Sequence, residues 1–113
     1  MHILHLSSAK TWRGGEQQIA YLIEELQAQD IQQSVLCVTN APFADWCTEQ
    51  NILHFTYKKR ASIDLRVAQF IKKIVKQQQV THLHAHDSHA HTFAVLAAAF
   101  FRMQKPIILS RRV

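Results

Sequence analysis

Ten consecutive residues, HLHAHDSHAH at 82–91, hold five of the chain's eight histidines. Imidazole and carboxylate groups at this density can bind a metal ion, move protons or hydrogen-bond a polar ligand. If 80–85 is a strand, His82, His84 and His86 share one face, because side chains alternate along it. Only His86 and the residues after it then emerge at the carboxyl end. His82 and His84 are expected deeper, as buried, hydrogen-bonded rings. His89 and His91 fall on the next helix, two residues and so about 200° apart, and cannot converge on one ion. An HxH pair on a strand does serve metal-dependent hydrolases, but those sites recruit further ligands from other strands. No other strand end supplies one that the pattern identifies, and no metal or other cofactor is expected. His86, beside a helix N-terminus, is disfavoured as a cation. As a neutral ring it can donate a hydrogen bond to a sugar hydroxyl or accept one. Asp87 can cap that helix or hold a ligand hydroxyl.

A second constellation is Arg13-Gly14-Gly15-Glu16. Its glycines are the only two in the chain and sit side by side at a helix start. Glycine admits close backbone approach and positive φ, and a helix N-terminus presents free N–H groups and a positive dipole end. Two readings follow: a diphosphate site, or a tight turn that simply enters the helix. Neither GxxxxGK[ST] nor GxGxxG is present, which excludes a P-loop and the dinucleotide fingerprint. A phosphorylated receiver domain would need acidic residues after the first strand, where Leu6-Ser7-Ser8 stand.

These residues need a frame. HILHL (2–6) reads as a buried strand, and Glu16–Gln29 as a helix with Ile19, Leu22, Ile23 and Leu26 on one face. SVLCV (34–38) is a second strand. Asn40 is a candidate cap for a short helix from Pro42 to about Gln50. ILHFTY (52–57) is a third strand. After the basic turn Lys58-Lys59-Arg60, Ser62 is expected to cap a helix that buries Ile63, Val67, Phe70, Ile71, Ile74 and Val75. VTHLHA (80–85) is a fourth strand, Asp87 or Ser88 caps an alanine-rich helix, and Pro106 opens a fifth strand, IILS (107–110). Continuous apolar strands alternating with helices predict a Rossmann-like three-layer α/β domain with a parallel sheet, order 3-2-1-4-5. Ligands bind such sheets at the carboxyl ends beside the switch point, here between strands one and four.

Bulk properties narrow the classes. A chain of 113 residues fits one domain. The formal charge of +5 suits an anionic partner. Lys58, Lys59, Arg60, Arg66, Lys72, Lys73 and Lys76 fall on one loop and its helix: a solvated face, or a contact for anionic lipid headgroups or a phosphorylated acceptor. Arg111 and Arg112 end the fifth strand near the same cleft and can meet phosphate. Basic and aromatic residues do not interleave as in nucleic-acid binders, so no nucleic-acid partner is expected. Cys37 and Cys47 lack CxxC spacing and read as reduced structural residues of a cytoplasmic protein. The N-terminus is not a signal peptide, and no stretch is long and apolar enough to span a membrane. With no helix after the fifth strand to cover it, the chain reads as a piece of a longer protein. The oligomeric state stays open.

HILHLSSAKTWRGGEQQIAYLIEEL, then a strand ending HLHAHDSHA, then PIILSRRV, resembles the N-terminal domain of GT-B-fold glycosyltransferases of family 4, across essentially the whole chain. The resemblance implies a retaining, usually metal-independent transfer of sugar from a nucleotide-diphosphate donor to a glycan or lipid-linked acceptor. It places Gly14 and Gly15 at the donor diphosphate and His86 at a donor-sugar hydroxyl. The acceptor site is mainly on this domain and most nucleotide contacts on a C-terminal domain outside these residues, so the chain alone is expected to be inactive. Cell-envelope or lipopolysaccharide synthesis, with peripheral contact at the inner face of the membrane, fits the basic surface. Two departures stand out. Many members place one residue between the glycine pair and the acidic residue, whereas Glu16 follows Gly15 directly. Asp30-Ile31 stands where the family often has Gly-His, so that turn must be made differently. Two alternatives remain: a stand-alone α/β ligand-binding module, and a metal-dependent hydrolase using His84, His86 and Asp87.

Overall fold

A computed structural model describes residues 1–12, 14–61, 63–100 and 107–109. Strands β1 (His2–Leu6), β2 (Gln32–Val38), β3 (His54–Tyr57) and β4 (His82–Ala85) alternate with helices α1 (Gly14–Ala28), α2 (Pro42–Glu49), α3 (Leu65–Gln78) and α4 (Ser88–Phe100). The strands form a parallel sheet in the expected order β3-β2-β1-β4. Beyond β4, a three-residue segment, Ile107–Leu109, runs parallel to it, with Ala85 beside Leu109. The switch point lies between β1 and β4, whose register pairs His5 with His84 and Leu6 with Ala85.

Every residue of β1 is buried, as it must be when helices cover both faces. Alternation then sorts the side chains. Leu4, Leu6, Leu36, Val38, Leu83 and Ala85 pack with Val67, Ile71, Ile74 and Val75 of α3 and with Ala90, Phe93, Ala94 and Ala97 of α4. Val35 and Cys37 point the other way, against Ile19 and Ile23 of α1 and Phe43, Ala44 and Cys47 of α2. Ile71 and Ile74 are at most 1% exposed, and each contributes roughly 2 kcal/mol through burial. By the same alternation His5, His82 and His84 belong to the α1/α2 face. Cys37 and Cys47 are both buried and free. Contact with the Cys37 thiol, reinforced by burial, pushes the Cys47 thiol well above its ordinary range, which suits the structural role expected of the pair.

The caps differ from expectation. Ala41, not Asn40, is the N-cap of α2, and Asn40 instead turns the chain with φ 63°. Proline at the first helical position already fixes the entry to α2. Asp64 caps α3, accepting a hydrogen bond from Arg66 N at 2.9 Å; Ser62 lies outside the described residues. Because α3 begins at Leu65, Ile63 precedes it and stays 67% exposed rather than joining the core. The turn after α1 is made by Asp30 itself in the left-handed region, φ 58°. Short polar side chains tolerate that conformation best among non-glycine residues. Among the described residues no helix is long and apolar enough to cross a membrane.

Candidate functional site

The carboxyl ends of β1 and β4 meet through the backbone, His86 N donating to Leu6 O at 3.0 Å, while Ser7 N ties the end of β1 to β2 by donating to Leu36 O at 3.0 Å. Asp87 locks the junction. Its carboxylate accepts from Ser8 N at 2.8 Å, from the Ser8 hydroxyl, and from Ala90 N at 2.8 Å in the first turn of α4. Asp87 therefore caps α4 and clamps the start of the β1–α1 loop with the same group. Tyr57, at the end of β3, donates to Ser7 O at 2.9 Å. Burial first, and the charge on Asp87 second, push its phenol well above its ordinary value, so it stays a donor. Lys59 is half-buried and donates to Ser8 O at 3.1 Å, whereas Lys58 and Arg60 are exposed. Of the basic turn, only Lys59 enters the junction.

Further along the loop, Trp12 packs on Phe43 and Trp46 of α2, ring centroids 5.6 and 6.2 Å apart, and donates to Gln17 Oε1 at 3.3 Å. This seats the loop just before Gly14 and Gly15. α1 begins at Gly14, with Gly15 and Glu16 half-buried in its first turn. No glycine among the described residues takes a positive φ. A Cβ added at Gly14 would meet nothing within 4 Å. The described residues therefore impose no steric need for glycine there. Arg13, Arg111 and Arg112 lie outside the described residues.

The histidines rearrange expectation. His84 is half-buried, and His86 is the buried one at 5% exposure. The strand ends at Ala85, so the chain turns at His86 and its ring folds back over His84, centroids 3.9 Å apart. A third ring joins them from β1. His5 is 1% exposed, its Nδ1 lies 2.9 Å from His86 Nε2, and its Nε2 lies 2.7 Å from Gln33 Oε1 of β2. Burial holds His5 at about 4, well below the ordinary imidazole value; its hydrogen bond to Gln33 Oε1 opposes this shift and nearby His84 adds to it. His5, His84 and His86 each offer a nitrogen within 4.8 Å of the others, a spacing a transition-metal ion could use. The third ring of the cluster, which the sequence pattern did not reveal, is His5 on β1. Asp87 is not part of this group, because its oxygens serve Ser8 and Ala90. His82 is half-buried and hydrogen-bonds Thr81 Oγ1 at 2.9 Å. His89 and His91 are half-buried on α4, outside the cluster.

The sequence pattern of glycosyltransferase family 4 matches residues 12–111. The chain belongs to glycosyltransferase family 4. No curated protein matches it in sequence. Its fold is similar to a glycosyltransferase from Rickettsia africae, with TM-score 0.77 and 15% identity over 96% of this chain and 28% of that one. It is also similar to MurG from Acinetobacter baumannii, with TM-score 0.73 and 17% identity over 96% of this chain and 34% of that one. HepE from Anabaena, solved with UDP-glucose, gives TM-score 0.72 and 15% identity over 96% and 28% of the two chains. The chain thus spans about a third or less of each. For a member of family 4, the junction of the β1–α1 loop with the β4–α4 turn, at the β1/β4 switch point, is the candidate functional site.

Proposed function

We propose that this chain forms the acceptor-side, N-terminal half of a retaining glycosyltransferase that takes its sugar from a nucleotide-diphosphate donor, and that a C-terminal nucleotide-binding half completes the cleft. The observation that carries this reading is Gly14. It opens α1 with neither positive φ nor, among the described residues, any neighbour near a would-be Cβ, at a helix start where backbone N–H groups and the helix dipole favour an anion. A donor diphosphate approaching that backbone gives the missing reason for glycine. Gly15 and Glu16 complete this turn, and Arg13 adds charge. His86, at the end of β4, serves a donor-sugar hydroxyl. Asp87 acts by holding the two loops together rather than by touching substrate, because its carboxylate is already engaged three times.

Lys58, Arg60 and the exposed cations of α3 suit a phosphorylated acceptor or the anionic inner face of a membrane. Arg66, Lys72, Lys73 and Lys76 line an open groove with Gln69 and Phe70. Arg111 and Arg112, later in the chain, add cationic side chains that suit the same partner. Cytoplasmic synthesis of a cell-envelope glycan such as lipopolysaccharide is the setting this chemistry fits.

The test is titration of the longest polypeptide the gene encodes with a panel of nucleotide sugars. UDP-glucose, the ligand of the Anabaena structure, comes first, followed by nucleotide release with and without His86→Ala. Saturable binding to one donor, with turnover lost in the variant, supports the reading. Absence of binding to every nucleotide sugar tested, together with a stoichiometric bound metal, favours the hydrolase alternative.

A further inference from the structure

The buried histidines form a hydrogen-bonded chain whose direction can be read off its ends. Gln33 Nε2 donates to Ile23 O of α1 at 3.0 Å. A backbone carbonyl only accepts, so the Gln33 amide is oriented with Oε1 toward His5. Oε1 also only accepts, so the 2.7 Å contact requires the proton on His5 Nε2. A neutral His5 then has a lone pair on Nδ1, and its deep burial keeps it neutral. The 2.9 Å contact between His5 Nδ1 and His86 Nε2 consequently needs its proton on His86. Burial of His86 and the positive end of α4 beside it both disfavour a cation there. The polarity runs one way across the sheet, from His86 just past the end of β4 through His5 on β1 and Gln33 on β2 to α1.

We propose that Gln33 and His5 are positioning residues for His86, fixing it as the Nε2–H tautomer so that its Nδ1 is an acceptor and any partner there must donate. This deepens, and for its catalytic meaning rests on, the reading of His86 as the donor-sugar contact. His86 Nδ1 is buried in this chain; a sugar hydroxyl that reaches it gives its proton to the hydrogen bond, and the hydroxyl oxygen stays available to accept from elsewhere. The register makes the device possible: His5 faces His84 directly, and the chain turn at His86 brings its ring over the pair.

The experiment is a long-range proton–nitrogen correlation spectrum of the histidine rings at neutral pH, for the protein and for Gln33→Leu and Gln33→Glu. In the unaltered protein, His5 and His86 should each show a protonated Nε2 and a bare Nδ1. Gln33→Glu keeps an acceptor for His5 and should keep the His86 pattern. Gln33→Leu removes it and should move the His86 nitrogens toward tautomer averaging. The same variant should weaken donor binding roughly five- to tenfold, about the worth of one neutral hydrogen bond, with Gln33→Glu closer to the original protein. A His86 that lacks its Nε2 proton overturns the proposal, whether the tautomer is reversed or a metal ion holds the cluster. So does a His86 protonated on both nitrogens, or a His86 pattern in Gln33→Leu indistinguishable from the original. If Gln33→Leu fails to fold, the unaltered spectrum and Gln33→Glu still decide. If the tautomers behave as stated but His86→Ala leaves donor binding intact, the glycosyltransferase role of His86 fails while the tautomer assignment stands.

Discussion

Replacing Asp87 by alanine removes one carboxylate and three hydrogen bonds at once: two to Ser8 and one to Ala90 N. Loss of the cap alone costs about 1 kcal/mol. Each hydrogen bond to a charged acceptor is worth about 1.5–3 kcal/mol, but the three share one acceptor and do not add. Ser8 is only 5% exposed, so water does not freely replace the lost partner of its N–H. The total expected for Asp87→Ala is about 3 kcal/mol, a fall of about 1–3 M in the urea midpoint for a domain of this size. Asp87→Ser separates the parts. It can still cap α4 but is too short to reach Ser8, and should recover about 1 kcal/mol of the loss. Crossing Asp87→Asn with Ser8→Ala in a double-mutant cycle should give a coupling of at least about 1 kcal/mol, since the residues touch directly. A coupling below about 0.5 kcal/mol, or equal midpoints for Asp87→Ala and Asp87→Ser, would refute the clamp and leave Asp87 a plain cap.

Acid should destabilise the fold through His5. Its value is about 4 in the folded protein against the ordinary 6.5, so between those pH values the unfolded chain binds the extra proton. Stability is fully present above about pH 6.5 and is lost as pH falls toward 4, by roughly 3 kcal/mol. Among the described residues, His84 and His86 bring titratable rings against it. Urea midpoints from pH 4 to 8 should slope in that window and flatten in His5→Asn; the same slope in both would sink this account. Gln79 and Asp30 hold φ of 54° and 58° at the ends of α3 and α1, where a side chain is strained and glycine is not. Gln79→Gly and Asp30→Gly should each raise stability, by up to about 1 kcal/mol, and lower midpoints would contradict the assignment. Gly14→Ala meets no neighbour, so it should leave thermal stability within about 0.5 kcal/mol while weakening donor binding at least tenfold; equal donor binding would remove the argument for a diphosphate at that backbone.

The sheet was legible because strand periodicity and helix faces are local signals. SVLCV could only be a strand covered on both sides, and its alternation sends Val35 and Cys37 one way and Leu36 and Val38 the other. Helix starts were less legible because several capping residues crowd each one. Ser62 and Asp64 can both cap α3, and only its packed start shows that Asp64 does; before α2, Asn40 makes a left-handed turn and Ala41 is the N-cap. Asp30 was readable as a turn made without glycine, and its left-handed backbone is how the chain makes it. The half-read element was Asp87: a helix cap is a local inference, whereas the bond to Ser8 spans 79 residues of sequence.

The histidine cluster shows where local pattern stops. HLHAHD announces three rings on one face, but depth along the strand does not decide which of them is exposed. The turn after Ala85 does, by folding His86 inward and leaving His84 half-open. The third partner, His5, sits 79 residues upstream of His84, and only the parallel register of β1 on β4 brings them level. That register was within reach of the sequence. In order 3-2-1-4, β1 and β4 are neighbours with their ends aligned. The histidine of HILHL on the same face then has to lie against HxH at about strand spacing. A buried histidine without a carboxylate survives only if each nitrogen finds a group of the right polarity. Gln33, the one polar side chain β2 turns toward His5, supplies the acceptor that sets the polarity of the whole chain of rings. Substituting an apolar residue at Gln33 therefore reaches His86 two strands away with no direct contact between them, and the ring nitrogens of His86 are where that influence is read.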